Sequence, residues 1–363
     1  MAKDDPRLTD GTRGRRTSGR VTMSEVARRA GVGAITVSRF LRDPATVSRR
    51  LRDRIAGAIR DLGYVPNLLA GSLASAGTPV IPVVVPSQAN AVFADVIQGA
   101  ADVILSRGHQ MLMGTTGFSL EQEEALVSTF LGWSPLGIIL TGADHTPRTR
   151  QLLEAAGLPV VEAFELSPAP MDMNVGFSHE LAGRAMTRRL IDLGHRRVAF
   201  AGTLMDQDLR AGKRLQGYRK AMAEAGLETS VLAMDERTGF ELGARVLDWV
   251  AAGAGVEAVF CANDIIAVGT VLECQRRGVA VPGQLAVAGF NGLPVSAAIN
   301  PPLTTIRTPR YHIGRLAAEM ILARAAGHPV EEPVVDVGFL IVEGGTTARW
   351  DKPVPAGAAT QIT

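Results

Sequence analysis

The sequence predicts a small all-α head, a short hinge helix and a larger α/β body, with two lobes of parallel sheet connected by three crossovers. Three observations support this prediction. Two short amphipathic helices flank Gly31, β-rich runs alternate with helical patterns from Thr78 onward, and a second series of the same kind begins after a proline-containing link at residues 168–173. Strands that alternate with helices along a chain favour parallel sheets covered on both faces.

Length and charge divide the chain in the same way. A chain of 363 residues exceeds one ordinary domain and indicates two or three units. Residues 1–75 hold 15 Lys and Arg against 7 Asp and Glu, a net charge of +8, which leaves −6 for the rest of a chain whose net charge is +2. A basic head on an acidic body is typical of a nucleic-acid-binding module attached to another domain, although a solvated basic surface has the same composition.

Composition also argues against several classes of protein. The sequence has no run of eighteen apolar residues and begins with a polar, charged stretch, so we expect a cytoplasmic protein without a membrane span or secretory signal. Cys261 and Cys274 stand in apolar stretches and are expected to be buried free thiols, and the six histidines lack the spacing of metal ligands. We therefore expect no metal and no cofactor. Without a recognisable nucleophile and base pair, the protein is not expected to be an enzyme.

The head is predicted at residues 21–65, after an arm at residues 1–20 that is expected to be disordered. Thr22 and Glu25 have the spacing of a capping box at the start of the first helix, and Gly31 supplies the turn into the second. The polar face of the second helix holds Thr36, Ser38 and Arg39. Such a face can enter a DNA major groove, where hydroxyls reach phosphate and arginine reads guanine, but an ordinary helical hairpin has the same pattern.

A third helix and a short hinge are predicted next. The stretch from Val47 to Gly63 repeats apolar residues at helical spacing, with arginines between them. Pro66 ends this region, and Asn67 can cap a short hinge helix within a linker at residues 66–78. A seven-residue helix that contains a glycine is too short to be stable alone in water, so we expect it to fold only when it docks. An inert linker is the alternative.

The head resembles the amino-terminal domain of lac-repressor (LacI/GalR) family regulators in an ordered series: Val21-Thr22 through Arg39, then Gly63-Tyr64-Val65-Pro66-Asn67, then Leu73-Ala74. The resemblance implies a transcriptional repressor that binds palindromic double-stranded operator DNA as a homodimer, with paired hinge helices that wedge Leu73 into the minor groove. It also implies a set of DNA contacts. These are Thr22, Ala34, Ile35, Thr36, Ser38, Arg39, Ser48, Asn67 and Leu73.

The body is predicted at residues 79–345, followed by a flexible tail at residues 346–363. We expect one lobe at residues 79–166 plus 307–333 and the other at residues 167–306 plus 334–345. Strands are predicted at residues 80–85, 110–114, 137–140, 160–163, 198–201, 258–262, 285–290 and 334–342, and a crossing segment at residues 300–306. Helices are predicted at residues 93–105, 120–131, 149–156, 181–193, 209–225, 240–250, 265–276 and 311–325. This order resembles the periplasmic-type sugar-binding domains of the same family.

A ligand is expected in the cleft between the lobes, beyond the carboxyl ends of the strands. Segments that follow strands, including residues 162–165 and 206–214, are candidates on this ground, and the family resemblance adds others. The predicted effector-binding set is Ser87, Phe93, Thr141, Glu162, Arg214, Asn263, Asp264 and Asn291.

Three of these sites follow from local motifs of the family. The resemblance implies a ligand-binding cation at Arg214 and a hydroxyl-binding pair at Asn263-Asp264, and it places Asn291 where many sugar-binding relatives have an aspartate. Asparagine removes a negative charge that would face the ligand, which favours an anionic effector gripped by Arg214 through two parallel hydrogen bonds. A helix cap at Asn263-Asp264 and a surface ion pair at Arg214 are the alternatives.

The resemblance narrows to the gluconate-operon repressors in several stretches, including Val37–Arg42, Val92–Val96 and His145–Thr149. It implies gluconate or a related sugar acid as the effector that releases the repressor from its operator. The same fold can instead respond to a neutral sugar or act with a corepressor. Two other classes compete: a sugar-binding protein without a DNA role, and a Rossmann-type enzyme, for which Gly31-Val32-Gly33 lacks the preceding strand.

Overall fold

The computed structural model describes residues 21–65, 78–88 and 90–347. The predicted arm, the hinge with Asn67 and Leu73, and the tail beyond residue 347 lie outside this range. The chain divides into two compact units, Met1–Ala76 and Gly77–Thr363. Among the described residues, no helix is long and apolar enough to cross a membrane.

The described residues of the first unit form three α-helices, α1 (Met23–Ala30), α2 (Ala34–Arg42) and α3 (Arg49–Leu62), and a short 3-10 helix at Pro44–Thr46. The predicted capping box is present, because the hydroxyl of Thr22 accepts the N–H of Glu25 at 3.3 Å and Oε2 of Glu25 accepts the N–H of Thr22 at 2.6 Å. Gly31 ends α1 with a φ of 63°, a conformation that costs glycine little. The helices bury a small core of their own that includes Val26, Val37 and Ile55.

Six strands form the sheet of the first lobe: β1 (Val80–Val85), β2 (Gln110–Thr115), β3 (Ile138–Thr141), β4 (Val160–Ala163), β5 (Met173–Gly176) and β11 (Val334–Asp336). They run parallel in the order β11-β5-β4-β3-β1-β2. The helices of this lobe are α4 (Ala91–Ser106), α5 (Leu120–Leu131), α6 (Pro147–Ala156) and α12 (Arg310–Ala325). Strand β1 is apolar and buried along its whole length, as expected of a central strand in a parallel sheet.

The second lobe has a matching sheet: β6 (Val198–Thr203), β7 (Ser230–Met234), β8 (Ala258–Cys261), β9 (Ala286–Asn291), β10 (Thr304–Arg307) and β12 (Leu340–Val342). Its order is β12-β10-β9-β8-β6-β7, and β12 alone runs antiparallel to its neighbour. The helices are α7 (His179–Asp192), α8 (Leu209–Glu224), α9 (Leu242–Trp249), α10 (Asp264–Arg277) and α11 (Pro294–Ala298). Both cysteines are buried free thiols, as predicted.

The chain passes between the lobes three times, as predicted, at residues 177–178, 308–309 and 337–339. The second passage carries α12 back to the first lobe, where it packs against α4 and strands β3, β4 and β5. Each lobe is therefore assembled from segments that are distant in sequence.

The boundaries between the lobes differ from the predicted ones. Strand β5 follows the predicted boundary at residue 167, yet it pairs with β4 and β11, so the first lobe extends to Gly176. The single strand predicted at residues 334–342 is two strands in different sheets, because the backbone turns at Gly338, with a φ of 63°, and Asp336 accepts its N–H at 2.9 Å. The segment at residues 300–306 ends in strand β10 of the second sheet, and the crossover follows it.

Reciprocal glycines let two pairs of helices approach closely. A Cβ atom at Gly99 of α4 would lie 2.1 Å from the carbonyl oxygen of Tyr311, and one at Gly314 of α12 would lie 1.9 Å from that of Val96. Helices α7 and α8 have the same arrangement, in which a Cβ at Gly183 would lie 2.2 Å from the carbonyl oxygen of Arg214. Any side chain larger than hydrogen would force these backbones apart.

We expect Gly314→Ala to lower the free energy of unfolding by roughly 1–3 kcal/mol, because the added methyl group must displace the backbone of α4. Gly283→Ala is the control, since the nearest atom to its added Cβ lies at an ordinary 3.6 Å, and it should change stability by less than about 0.5 kcal/mol. Chemical denaturation of the full chain, followed by circular dichroism, measures both. Equal effects would contradict the close-packing account.

Candidate functional site

Five of the residues predicted to contact DNA are exposed on the head. The exposed members of the set are Thr22, Ala34, Ile35, Arg39 and Ser48. Ile35 is unusual, because 76% of this apolar residue is accessible. Thr36 and Ser38 are half-buried next to it, and Val37 is the residue of α2 that packs in the core. An exposed isoleucine beside an arginine suits apolar contact with a thymine methyl group and hydrogen bonds to guanine.

The first turns of α2 and α3 keep their backbone N–H groups available. Gly33 precedes α2 and Ser48 precedes α3, and neither residue caps its helix through a side chain. Uncapped amides at the positive end of a helix dipole bind phosphate well. Arg49 and Arg50 are exposed in the first turn of α3, so positive charge is concentrated at this end of the helix.

A partly open cavity lies between the two lobes. On the first lobe its lining includes residues that follow strands β1 to β4, among them Pro86, Thr116, Asp144 and Glu165. On the second lobe the lining comes from the segment after β6 and includes Arg210. The cavity therefore lies beyond the carboxyl ends of parallel strands, where ligands of such folds bind.

Arg210, at the start of α8, is the basic residue among those that line the cavity. Its Nη1 donates to the carbonyl oxygen of Thr141 at 3.3 Å, and its guanidinium carbon lies 5.3 and 5.9 Å from the ring centres of Phe93 and Phe164. The carboxylate paired with it, Asp208, is 3.7 Å from Nε. The aromatic rings stabilise the buried charge while the guanidinium keeps donors for a ligand.

Arg214 lies one helical turn further along α8 and is also buried. Its guanidinium carbon is 4.3 Å from the ring centre of Phe290, and its Nη2 is 3.8 Å from Asp208. Its Nε has no hydrogen-bond partner among the described residues. Burial lowers the pKa of Arg214 to about 10, with Asp208 opposing and Arg210 adding to the shift, so the side chain stays charged at neutral pH.

His179, at the start of α7, holds Arg214 in place. Its Nε2 donates to the carbonyl oxygen of Phe164 at 3.2 Å, which leaves Nδ1 to accept from Nη1 of Arg214 at 3.0 Å. Burial, together with the charges of Arg214 and Arg210, holds the pKa of His179 well below its ordinary value. A neutral imidazole thus satisfies one donor of Arg214 without adding negative charge.

Lys213 joins the two lobes between the two arginines. Its Nζ contacts Oδ2 of Asp144 at 2.6 Å and also Oε1 of Glu165, and both acids belong to the first lobe. Burial by itself would lower the pKa of Lys213, but the two carboxylates outweigh this effect and raise it. Separation of the lobes must break this bridge.

The predicted hydroxyl-binding pair has structural roles in this arrangement. Oδ1 of Asn263 accepts the N–H of Ile266 at 3.0 Å and so caps α10. Asp264 is fully buried and accepts the hydroxyl of Thr305 at 2.5 Å and the N–H of Leu293 at 2.6 Å. Burial raises the pKa of Asp264 to about 7, although these hydrogen bonds oppose the shift. Both side chains hold the loops of the second lobe.

Thr141 is the member of the predicted set that lines the described cavity, and the other members, Phe93 and Arg214 included, are absent from its lining. Ser87 is half-buried next to Pro86, which does line the cavity. Asn291 ends β9 with a φ of 111°, and its carbonyl oxygen accepts from Arg310. Glu162 is fully buried and accepts the N–H of Met171 at 3.0 Å.

Glu162 belongs to a buried charge cluster around His145. Nδ1 of His145 lies 2.5 Å from Oε1 of Glu123, and Nε2 lies 3.2 Å from Oε1 of Glu162, without the alignment of a hydrogen bond. Burial by itself would lower the pKa of His145, but the two carboxylates outweigh it and raise the pKa to about 9. His145 is therefore a cation at neutral pH.

The structure brings Phe93, Thr141 and Arg214 together around a residue that motif reasoning missed, Arg210. A signal for it was present, because positions four apart, such as Arg210 and Arg214, share one face of a helix. The sequence offers no comparable indication of the role of His179, because this residue stands just before the helix predicted at residues 181–193 and belongs to no recognised motif.

A helix-turn-helix head with an exposed reading face, on a body with a charged cleft between two lobes, defines a ligand-responsive DNA-binding regulator. Two family models match the corresponding parts: residues 22–67 match the bacterial regulatory proteins of the lacI family, and residues 187–347 match a periplasmic binding protein-like domain. The chain belongs to the lacI family, whose members are transcriptional regulators and not enzymes.

The similarity extends over nearly the whole chain. The HTH-type transcriptional regulator GntR of Pseudomonas aeruginosa is 40% identical over 343 residues, which are 94% of this chain and 99% of that protein. GntR of Escherichia coli K12 is 38% identical over 328 residues, which are 90% of this chain and 98% of that protein. A solved lacI-family transcriptional regulator from Silicibacter pomeroyi superimposes with a TM-score of 0.86 at 34% identity and covers 91% of this chain and 100% of its own.

If Arg39 reads a base edge as predicted, Arg39→Ala should cost roughly 1–3 kcal/mol of specific DNA binding, because alanine lacks the charged, paired N–H donors of the guanidinium group. The measurement is a titration, at fixed salt, of the duplex that the wild-type protein selects from a randomised palindromic library. Arg60→Ala removes the same charge from an exposed position in the last turn of α3 and should weaken all sequences by a small, equal amount. Unchanged affinity of Arg39→Ala for the selected duplex would refute base reading by Arg39.

A second expectation concerns pH and His145. Its pKa in the folded chain, about 9, exceeds the ordinary value of 6.5, so its stabilising contribution is full below pH 6.5 and is lost as the pH rises through about 9. Over this interval the free energy of unfolding of the wild-type protein should fall by up to about 3 kcal/mol relative to His145→Gln. Urea denaturation across the interval measures the difference. His328→Gln, at an exposed histidine, should keep the wild-type pH dependence, and a similar dependence in His145→Gln would contradict the assignment.

Proposed function

We propose that this regulator represses genes for the uptake or catabolism of a sugar acid such as gluconate, and that the sugar acid releases it from its operator. The observation that carries the proposal is the pair of buried guanidinium groups, Arg210 and Arg214, which share one carboxylate at 3.7 and 3.8 Å. The regulator acts as a homodimer on palindromic DNA in the cytoplasm, in keeping with its family.

The charges around α8 favour an anion. Arg210 and Arg214 carry two positive charges, and Asp208 supplies one negative charge at distances longer than a close ion pair. His179 adds none, because it faces Arg214 as a neutral acceptor. The two guanidinium groups thus carry one positive charge more than the carboxylate that they share, while Lys213 is bridged to Asp144 and Glu165. A carboxylate ligand matches the fork of a guanidinium group.

The rest of the cleft favours a polyhydroxylated tail on that anion. Its lining includes Thr116, Ser119, Asp144, Glu165 and Gln207, which can exchange hydrogen bonds with hydroxyl groups. The motif resemblance to gluconate-operon repressors, and the relatives named GntR, support gluconate itself as the first ligand to test.

Release from DNA follows from differential binding to two arrangements of the lobes. The cleft is closed by contacts between lobes, including those of Lys213 with Asp144 and of Arg210 with Thr141. A ligand that inserts among these groups binds one lobe arrangement more tightly than the other and shifts the population toward it. Because coupling is reciprocal, bound operator must weaken effector binding by the same factor.

The proposal is tested by gel shift on the DNA upstream of the protein's own gene. Gluconate, 6-phosphogluconate and neutral sugars are added separately. We expect a specific complex that gluconate dissociates. Failure to bind any DNA at low salt would overturn the repressor assignment, and a response to neutral sugars alone would overturn the sugar-acid assignment.

Replacement of Arg210 tests the anion site directly. Arg210→Gln should weaken gluconate binding by about 10- to 100-fold, because a charge-assisted hydrogen bond contributes about 1.5–3 kcal/mol. Affinity for DNA without effector should not change. Isothermal titration calorimetry measures the first quantity and gel shift the second. Arg219→Gln removes a charge from an exposed position of the same helix and serves as the control; the same loss in both variants would exclude a specific role for Arg210.

A further inference from the structure

Glu123, on α5 of the first lobe, lines the cavity opposite the lobe that carries Arg210. Only 7% of its side chain is accessible. His145 holds Oε1 at 2.5 Å, and Oε2 receives no hydrogen bond from the described part of the chain. A nearly buried carboxylate with one fixed oxygen and one open oxygen at a cavity wall is a preorganised acceptor.

The cluster behind Glu123 fixes its position. His145 is fully buried between Glu123 and Glu162, and Arg150 lies 3.9 Å from Glu162 on the far side. Glu162 is already engaged by the N–H of Met171 at 3.0 Å. One ring nitrogen of His145 thus faces Glu162, which does not line the cavity. The other ring nitrogen faces Glu123, which does.

The acids of the lining are not equivalent. Three acidic residues line the cavity, and two of them, Asp144 and Glu165, are bridged by Lys213 of the opposite lobe. Glu123 is paired only within its own lobe, with His145. The cleft thus has the guanidinium group of Arg210 on the α8 wall and the carboxylate of Glu123 on the α5 wall.

We infer that Glu123, positioned by His145, is a specificity-determining residue of the cleft: it accepts hydrogen bonds from the hydroxyl end of a monocarboxylate effector and excludes a second acidic group at that end. This inference rests on the proposed sugar-acid function. An anion at one end meets Arg210, the hydroxyl groups at the other end meet Glu123, and a second carboxylate there would face a charge of its own sign. The effector class is therefore a polyhydroxy monoacid and not a diacid.

D-Gluconate and D-glucarate test the inference, because they differ in one terminal group, a hydroxymethyl in the first and a carboxylate in the second. Isothermal titration calorimetry on the full-length protein at neutral pH gives the ratio of their affinities. We expect the wild-type protein to prefer gluconate by at least about tenfold, since like charges in a partly buried site repel strongly. Glu123→Gln should weaken gluconate binding and bring the ratio close to one.

Two further variants make the ratio informative. Glu154→Gln removes a charge from an exposed position of α6 in the same lobe and should keep the wild-type ratio. His145→Ala should lower the ratio, whereas His145→Gln, which can still donate to Glu123, should restore part of it; a merely structural role of His145 would not discriminate between the two ligands. If Glu123→Gln does not fold, Glu123→Asp keeps the charge and withdraws it by one methylene, and it should give an intermediate ratio.

The outcomes separate the two proposals. Binding of neither acid by the wild-type protein would overturn the proposed function. Binding of gluconate with equal ratios in the wild-type protein and Glu123→Gln would overturn the role of Glu123 and leave the proposed function in place. A wild-type preference for glucarate would also overturn the inference.

Discussion

The second-lobe side of the cleft depends on two buried positive charges on one helix, Arg210 and Arg214. Burial of a guanidinium group costs free energy unless its donors are hydrogen-bonded and its charge is balanced. Here the faces of Phe93, Phe164 and Phe290 stabilise the two charges, while Asp208 lies 3.7 Å from the nearer group. The two guanidinium groups are therefore balanced mainly by aromatic faces and by one shared carboxylate at 3.7 and 3.8 Å.

The precision of this arrangement comes from the backbone. Glycine at position 183 brings α7 against the backbone at Arg214, and α7 also supplies His179, which accepts from the same arginine. The distance between the two helices and the aim of the guanidinium group are thus set by one contact. Residues behind the cavity thus fix the position of Arg214, which is how a packed scaffold preorganises a site.

Local pattern predicted most helices, most strands and the ends of the sheets at which the cleft lies, because these follow from short-range periodicity and capping. It did not predict that β5 and β11 share a sheet, since the partner of a parallel strand is chosen by tertiary packing. The sequence of Asn263-Asp264 fits a ligand-binding pair and a helix cap equally well, and only the structure shows the capping hydrogen bond to Ile266 and the contact with Thr305. Glu162 was predicted to bind the ligand because it lies near the carboxyl end of a strand. Since both faces of this strand are buried, the sequence does not indicate on which face its side chain lies.

The discontinuity of the lobes has a consequence for synthesis on the ribosome. The head is complete once its three helices have emerged, whereas the first lobe waits for α12 and β11, which lie near the end of the chain. Through most of translation the edge of β5 and the face of α4 therefore have no native partner, and the second lobe is made while the first is still open. The helix-turn-helix head therefore folds long before the cleft between the lobes is formed. A chain truncated before α12 would keep the head but would lack a complete cleft.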